Sequence, residues 1–323
     1  MKIEIDNLHP RRDTEGRILD AHGGPLFNLF DGLFYNYGVR YGETDGYSPE
    51  TDFVCYSSKD LQNWKYRGSI WDGSQRRGLH FRPHVIFHPS SGKYILWFLY
   101  YEQFHRPGPK KPGPNICIKG TTTADHPAGP FTPHEYGTRL SCELSGDHDL
   151  FVDDDGSIYL AHSHHDFSAA TGKATIRVEK LNADGLSSTG DHVVLDSEGI
   201  PCEAPALFKR EGTYYCLFDQ WTDRLKWGSG ARVYTAPNPL GPWTYRGNPN
   251  RNEKGEFRIW AQQNTVAPIE TIEGTVYIWA GDRWRTSEFL GTDLQYWHRL
   301  EFNEDGTIRP FTFTERWSLH LEV

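Results

Sequence analysis

Apolar and polar positions alternate with a period of two along most of the chain. The segments "GLFYNYGVRYG" (32–42), "GKYILWFLYY" (92–101), "GSIYLAHSHH" (156–165), "GTYYCLFDQW" (212–221) and "GTVYIWAGDRW" (274–284) each set a glycine before an aromatic-rich alternating run. Alternation of this kind reads as a half-buried strand, and no window sustains the i, i+3, i+4, i+7 spacing of a long helix. A second pattern also recurs: "SSKDLQNWKYRG" (57–68) and "GTDLQYWHRL" (291–300) share Asp-Leu-Gln-x-Trp, and "AGPFTPH" (128–134) and "LGPWTYRG" (240–247) share Gly-Pro-aromatic-Thr. Both read as endings of outer strands. Repeats at this spacing predict blades, and the count of hairpins predicts an all-β, five-bladed β-propeller over residues 1–323 as one domain. The closing segment "GTIRPFTFTERWSLHLEV" alternates too and is expected to return to a blade and close the ring. The Pro- and Gly-rich stretch "RPGPKKPGPN" (106–115) reads as an exposed loop between strands.

Composition agrees with many short strands and tight turns: aromatics make up 14% of residues, with 32 Gly and 20 Pro. A net charge of −9 argues against a phosphate-binding surface, so no nucleic-acid partner is expected and an uncharged glycan fits better. The first twenty residues lack the apolar core of a secretory signal, and no run is long enough to span a bilayer. The expectation is therefore a cytoplasmic chain with no membrane partner, although a secreted chain trimmed of its leader reads the same. Five cysteines without CxxC spacing suggest neither a disulfide framework nor a zinc site. No cofactor is expected.

Several polar motifs invite a functional reading. Asp153, Asp154, Asp155 and Gly156 resemble the start of a calcium loop but lack its terminal Glu, so a hairpin turn is expected. His162, His164 and His165 offer imidazoles at a strand end near a polar pocket, which needs no metal. Trp221, Trp260 and Trp284 flank inner strands, where a ring either stacks on a sugar or packs between blades. Glu203 opens a strand immediately before Ala-Pro, and a charge there is either solvated at a rim or aimed into a site.

Taken in order, "DTEGRILDAHGGPLF" (13–27), "GDHDLFVDDDGSIYL" (146–160), "EAPALFKREGTYY" (203–215), "AQQNT" (261–265) and "YIWAGDRW" (277–284) resemble glycoside hydrolase family 43, and within it the exo-β-1,3-galactanase branch. The resemblance implies a propeller with a central pocket, an oligosaccharide substrate of the arabinogalactan type, and hydrolysis with inversion. Inversion needs a protonated carboxyl on one side of the sugar and a base about 6.5–9.5 Å away. By resemblance Glu203 is the general acid and Asp147 the carboxylate that orients it and raises its pKa. Asp149, on the same face of an alternating strand, is the alternative to Asp147. Most of the family has an Asp base where this chain reads Ala21-His22-Gly23-Gly24. The base is therefore either Gln263, which matches the branch, or Asp20, which shares a strand face with His22.

The same resemblance places His22, Gly23, Arg283 and Trp284 at the substrate. Where the branch reads Glu-Arg-Pro-Lys, this chain has Phe81-Arg82-Pro83-His84, so a sugar-gripping carboxylate has become an apolar ring. Arg82, His84 and Glu102 are then the candidates for the lost polar contact. Hydroxyl contacts dominate sugar discrimination, so an α-L-arabinofuranosidase, β-xylosidase or β-galactofuranosidase is an alternative. A sugar-binding propeller without catalysis is a third reading.

Overall fold

The computed structural model describes residues 1–71, 78–103, 116–132, 135–165, 174–197, 199–200, 202–220 and 230–322. After β1 (Lys2–Asp6), five antiparallel sheets follow one another. The first is β2–β5 (Leu26–Phe30, Leu33–Arg40, Asp52–Ser58, Lys65–Ser69), and the second is β6–β9 (Leu79–His88, Lys93–Gln103, Ile116–Ala124, Glu135–Tyr136). The third is β10–β13 (Ser145–Val152, Ile158–His165, Ala174–Leu181, Ser188–Leu195), and the fourth is β14–β17 (Cys202–Arg210, Thr213–Gln220, Arg232–Ala236, Thr244–Tyr245). The fifth has three strands, β18–β20 (Gln262–Thr271, Gly274–Arg283, Leu294–Arg299), and β21 (Arg316–His320) ends the chain. The sheets form a five-bladed β-propeller, as the alternation predicts. Among the described residues no helix is long and apolar enough to cross a membrane.

Each glycine-led run is the second strand of a blade, and the glycine sits in the turn before it. Gly32, Gly92, Gly156, Gly212 and Gly274 all have φ between 68° and 98°, a left-handed turn conformation that a side chain disfavours. The acidic run at 153–156 is one of these turns, with Asp153 held by Lys209 at 2.9 Å and by the Tyr214 hydroxyl at 2.6 Å. Apolar residues on alternate positions then fill the gaps between neighbouring sheets. One core lies between the first and second blades (Tyr37, Phe53, Phe98), another between the second and third (Ile86, Trp97, Leu160), and another between the third and fourth (Ile176, Leu207, Phe218). The fourth packs on the fifth through Leu217, Trp279 and Tyr296, and the fifth on the first through Val54, Ile278 and Trp297.

Ring closure uses the termini in a way that alternation alone does not foretell. β21 pairs with β1, from Lys2 opposite His320 to Asp6 opposite Arg316, as a separate two-stranded sheet rather than a fourth strand of the fifth blade. The edge of β20 is met by a side chain. Asn7 Nδ2 donates to the carbonyls of Trp297 (3.1 Å) and Thr314 (3.0 Å), and Asn7 Oδ1 accepts from Trp297 N (3.0 Å). A carboxamide thus stands in for a strand's peptide group, and it is fully buried. The two Asp-Leu-Gln-x-Trp copies meet here, with the Trp64 and Trp297 rings 6.4 Å apart edge to face.

Because Asn7→Ala strands the buried Trp297 N–H and removes a donor from two carbonyls that keep one other partner each, it is expected to cost about 1–3 kcal/mol. Urea denaturation of the variant tests this, and a loss below about 0.5 kcal/mol would show that β1–β21 pairing alone closes the ring.

Candidate active site

The first strand of every blade carries a register shift near its start: at Leu26/Asn28, Phe81/His84, Ser145/His148, Glu203/Ala206 and Gln263/Thr265. A bulge adds a residue and re-aims the side chains beside it. Two of the bulges have matching chemistry. Arg82 and Ala204 are left-handed (φ 53° and 50°), and each precedes a proline, which has no N–H to lose from the ladder. The bulges lie near the axis and bring charged side chains from separate blades together.

Arg82 forms the floor of this cluster. Its Nη2 pairs with Asp147 Oδ2 at 2.8 Å, and its Nη1 donates to Asn264 Oδ1 (2.9 Å) and to the Gln263 carbonyl (3.1 Å). Asn264 Nδ2 donates in turn to Asp282 Oδ2 at 2.7 Å, and the same oxygen takes the Gly23 N–H at 2.8 Å. Asp282 Oδ1 lies 2.8 Å from His22 Nδ1. Blades one, two, three and five therefore share one buried polar chain.

The fourth blade supplies Glu203. Its buried carboxyl accepts from Gln262 Nε2 at 3.0 Å, and Gln262 Oε1 accepts from Trp284 Nε1 at 2.8 Å. The Trp284 ring packs against His22 and Tyr41, with centroids 5.5 and 5.8 Å apart. Asp147 is held from below. Lys119, almost fully buried, donates to the Gly146 carbonyl and lies 2.9 Å from His148 Nδ1, beneath the bulge that presents Asp147. Burial lowers the Lys119 pKa to about 7 against the opposing pull of Asp147.

Several expected site residues are placed elsewhere. Gln263 is turned into the protein: its Nε2 donates to the Ala204 (2.7 Å) and Leu217 (3.0 Å) carbonyls, and its Oε1 accepts from Trp279 Nε1 (2.7 Å). An amide with its oxygen and nitrogen so occupied, and no exposed surface, cannot take a proton from water, so the geometry does not support Gln263 as base. Asp20 binds the Tyr41 and Gly42 amides at 2.9 and 2.7 Å, which makes it a turn cap; burial raises its pKa despite nearby His22 and those amides. His22 is fully buried beneath Trp284, out of reach of a sugar. Burial works against its protonation, but Asp282 first and then Asp20 outweigh it and raise its pKa.

Asp149 and His84 face away from Glu203 because the bulges shift the alternation. Asp149 Oδ2 accepts the Leu207 N–H at 2.7 Å and Oδ1 lies 3.0 Å from His84 Nδ1, tying the second, third and fourth blades. Both line an axial channel of about 950 Å³, whose other walls include Phe30, Phe87, Val152 and Ala267 and which lies on the far side from Glu203. Arg283 packs over the Phe313 ring, 5.3 Å from its centroid, on the opposite strand face from Asp282. Phe81 is edge-on to Tyr47 and Tyr101, at 6.1 and 5.7 Å, and Trp260 is about half exposed. Trp221 and the loop at 106–115 lie outside the described residues, as does the side chain of Glu102.

The histidine run does not converge either. His164 Nδ1 lies 3.0 Å from the Leu144 carbonyl, and the His165 side chain is outside the described residues. His162 instead meets Glu179 at 2.7 Å and, with Cys142, forms a trio whose ligand atoms lie within 4.8 Å of one another. Ser141 and His162 already occupy the Glu179 carboxylate, and burial pushes the Cys142 thiol up to about 11. The trio is therefore complete as a hydrogen-bonded core element.

The residues that sequence reasoning missed are Gln262, Asn264, Asp282 and Lys119. Asp282 carried a signal: it is the one acidic residue in the run 274–284. Gln262 did not, because the bulge beside Gln263 breaks the alternation that would tell neighbours apart.

The sequence profile of glycosyl hydrolases family 43 matches residues 34–308, which takes in the second to fifth blades, the first blade from β3 onward, and every residue of the Glu203 cluster except those of the segment before residue 34. The chain belongs to glycosyl hydrolases family 43. An arabinoxylan arabinofuranohydrolase of Paenibacillus polymyxa is 27% identical over 332 residues, covering 88% of this chain and 49% of that protein. The chain thus spans about half the length of the curated relatives it matches. Among solved structures, a family 43 β-1,3-galactosidase with galactodeoxynojirimycin superposes with a TM-score of 0.79 at 24% identity, over 97% of this chain and 99% of that one. The exo-β-1,3-galactanase of Clostridium thermocellum gives 0.78 at 22% identity, over 98% and 67%. At these identities the structures share the family 43 propeller fold with this chain.

Two expectations follow from the geometry. Gln263→Ala removes three buried hydrogen bonds, two of them to backbone carbonyls, and should lower stability by about 2–4 kcal/mol. A variant with unchanged melting but no turnover would return Gln263 to a chemical role. For Lys119, the proton is lost near pH 7 in the folded chain and near 10.5 when exposed. Across that window the unfolded chain binds the extra proton, so stability rises with pH, by up to about 1.4 kcal/mol per unit. Denaturation of the native chain and Lys119→Met at pH 7, 8 and 9 should show the native chain gaining on the variant, and parallel curves would refute the shift.

Proposed function

We propose that this family 43 chain is an inverting exo-glycoside hydrolase that releases a terminal sugar from an arabinogalactan-type oligosaccharide, with Glu203 as general acid. The observation that carries this is the placement of Glu203: a buried carboxyl on a bulge near the propeller axis, held by Gln262 in a cluster with the Arg82–Asp147 pair. A general acid needs a carboxyl shielded from water and oriented by a fixed partner, and Glu203 has both. Asp147, fixed by Arg82 and propped by Lys119, is the second carboxylate of the reading. The β-1,3-galactosidase and galactanase folds support a galactan substrate, and the arabinofuranohydrolase relatives support a pentose.

Phe81 favours the second of these as an alternative. Packed edge-on with Tyr47 and Tyr101, it offers no hydrogen bond to a hydroxyl. A site that lacks one such contact discriminates weakly in favour of the sugar that needs it. An α-L-arabinofuranosidase or β-xylosidase, or among hexosidases a β-galactofuranosidase, is then the sibling activity.

Initial rates on 4-nitrophenyl β-D-galactopyranoside, α-L-arabinofuranoside, β-D-xylopyranoside and β-D-galactofuranoside, together with β-1,3-galactobiose, separate these readings. NMR of the first product should show the anomer opposite to the substrate's. Glu203→Gln should lower turnover of the natural disaccharide by about 10²–10⁴-fold while sparing much of the rate on a substrate with an acidic leaving group. Retention of configuration, or equal losses on both substrates, would count against the assignment; no turnover of any glycoside would leave a sugar-binding propeller.

A further inference from the structure

We propose that Trp284, acting through Gln262, decides which oxygen of Glu203 carries the acid proton. The inference rests on Glu203 being the general acid and adds a positioning role that neither the family motif nor the fold assigns. Its basis is the chain of two hydrogen bonds from indole to carboxyl.

An indole N–H can only donate. Trp284 Nε1 lies 2.8 Å from Gln262 Oε1, so the carboxamide oxygen has to face the indole; the flipped amide would set two donors against each other. This holds whichever way the amide is drawn. The Gln262 NH₂ is thereby turned to Glu203, where Nε2 stands 3.0 Å from Oε1. In the neutral acid the carbonyl oxygen is the stronger acceptor, so this hydrogen bond to Oε1 favours the proton on Oε2.

The indole itself is well anchored. Its ring packs against His22 and Tyr41, and His22 is pinned by Asp282 at 2.8 Å, so Trp284 has little freedom to swing. Gln262 is buried and spans from one fixed group to the other. The relay therefore has a rigid end and a reactive end, which is what positioning requires.

The consequence for hydrolysis is direct. The bond between the anomeric carbon and the leaving oxygen breaks, its electron pair goes to that oxygen, and the oxygen takes the proton from Glu203 Oε2. Water adds to the anomeric carbon from the opposite face, and its proton passes to solvent water. As Glu203 becomes anionic, the Gln262 N–H on Oε1 becomes a charge-assisted hydrogen bond, which is about twice as strong as a neutral one. The relay thus aims the proton before the step and stabilises the charge after it.

Trp284→Phe keeps a ring against His22 and Tyr41 but removes the donor, and Gln262→Leu removes the middle of the relay. Each should lower kcat on β-1,3-galactobiose by about ten- to a hundredfold, the worth of a hydrogen bond to a charged group. Each should leave the rate on 2,4-dinitrophenyl β-galactoside within about threefold, since that leaving group needs little proton transfer. If the substrate panel selects a pentose, the corresponding pentoside pair replaces these probes. The basic limb of the pH profile of kcat/KM should move upward in both variants, because the ionised acid has lost a donor. The double variant should be no worse than the worse single one, as both act on one proton.

Equal losses on both leaving groups, an unmoved basic limb, or additive losses in the double variant would overturn the relay. Should Trp284→Phe fail to fold, the pH limb and leaving-group dependence of Gln262→Leu decide the matter. Glu203→Gln is measured alongside: full activity of that variant on the disaccharide would sink the general-acid assignment, whereas its inactivity with an unaffected Trp284→Phe sinks the relay alone.

Discussion

The Arg82 guanidinium, buried on a left-handed bulge residue, is the contact on which the centre of the molecule depends. It reaches Asp147 in the third blade and Asn264 with the Gln263 carbonyl in the fifth, and through Asn264 it is joined to Asp282, His22 and Gly23. A buried cation is costly to desolvate and is tolerated only when its donors find well-placed acceptors. Here Asp147, Asn264 and the Gln263 carbonyl come from other blades, so these contacts form when the ring is assembled. Apolar packing holds each blade to its neighbour, whereas this network reaches across the axis. The floor beneath Glu203 is thus a product of closure.

A propeller places the starts of its inner strands close together, but regular strands would point half their side chains the wrong way. The bulges solve this by adding a residue where the strands approach the axis. In the third blade the irregularity at Ser145/His148 leaves Asp147 with Arg82 and sends Asp149 to Leu207 and His84. In the fifth, Gln262 meets Glu203 while Gln263 grips the Ala204 carbonyl, and so steadies the bulge that holds the acid. Neighbouring residues of one type therefore face Glu203 and the protein interior respectively. On the other side of this layer, the axial channel ends at His84 and Asp149.

Family 43 membership and the setting of Glu203 bear on substrate choice differently. Proton transfer to a leaving oxygen is common to all glycosides, so the role proposed for Glu203 is insensitive to which sugar is bound. Sugar choice depends instead on groups such as Phe81, whose aromatic surroundings lack the carboxylate found in the galactanase branch.

Alternation and turn glycines determined the five blades by themselves, because a period of two and a left-handed turn are local properties that the chain carries wherever it is placed. The Glu203-Ala204-Pro205 segment stands out in the same way: an acidic residue before Ala-Pro, in motif order, marks the candidate acid without any knowledge of its neighbours. The partners were not legible. Gln262 and Gln263 are adjacent and identical, Asp147 and Asp149 share a nominal strand face, and Asp20 and His22 do as well. Only the bulges and the meeting of strands from different blades decide which of each pair faces the acid and which is spent on an amide or a carbonyl. Tertiary structure alone settled those roles, since a hydrogen bond between residues some 60 to 260 positions apart in sequence, such as Gln262 to Glu203 or His22 to Asp282, has no periodicity for a single chain of letters to show.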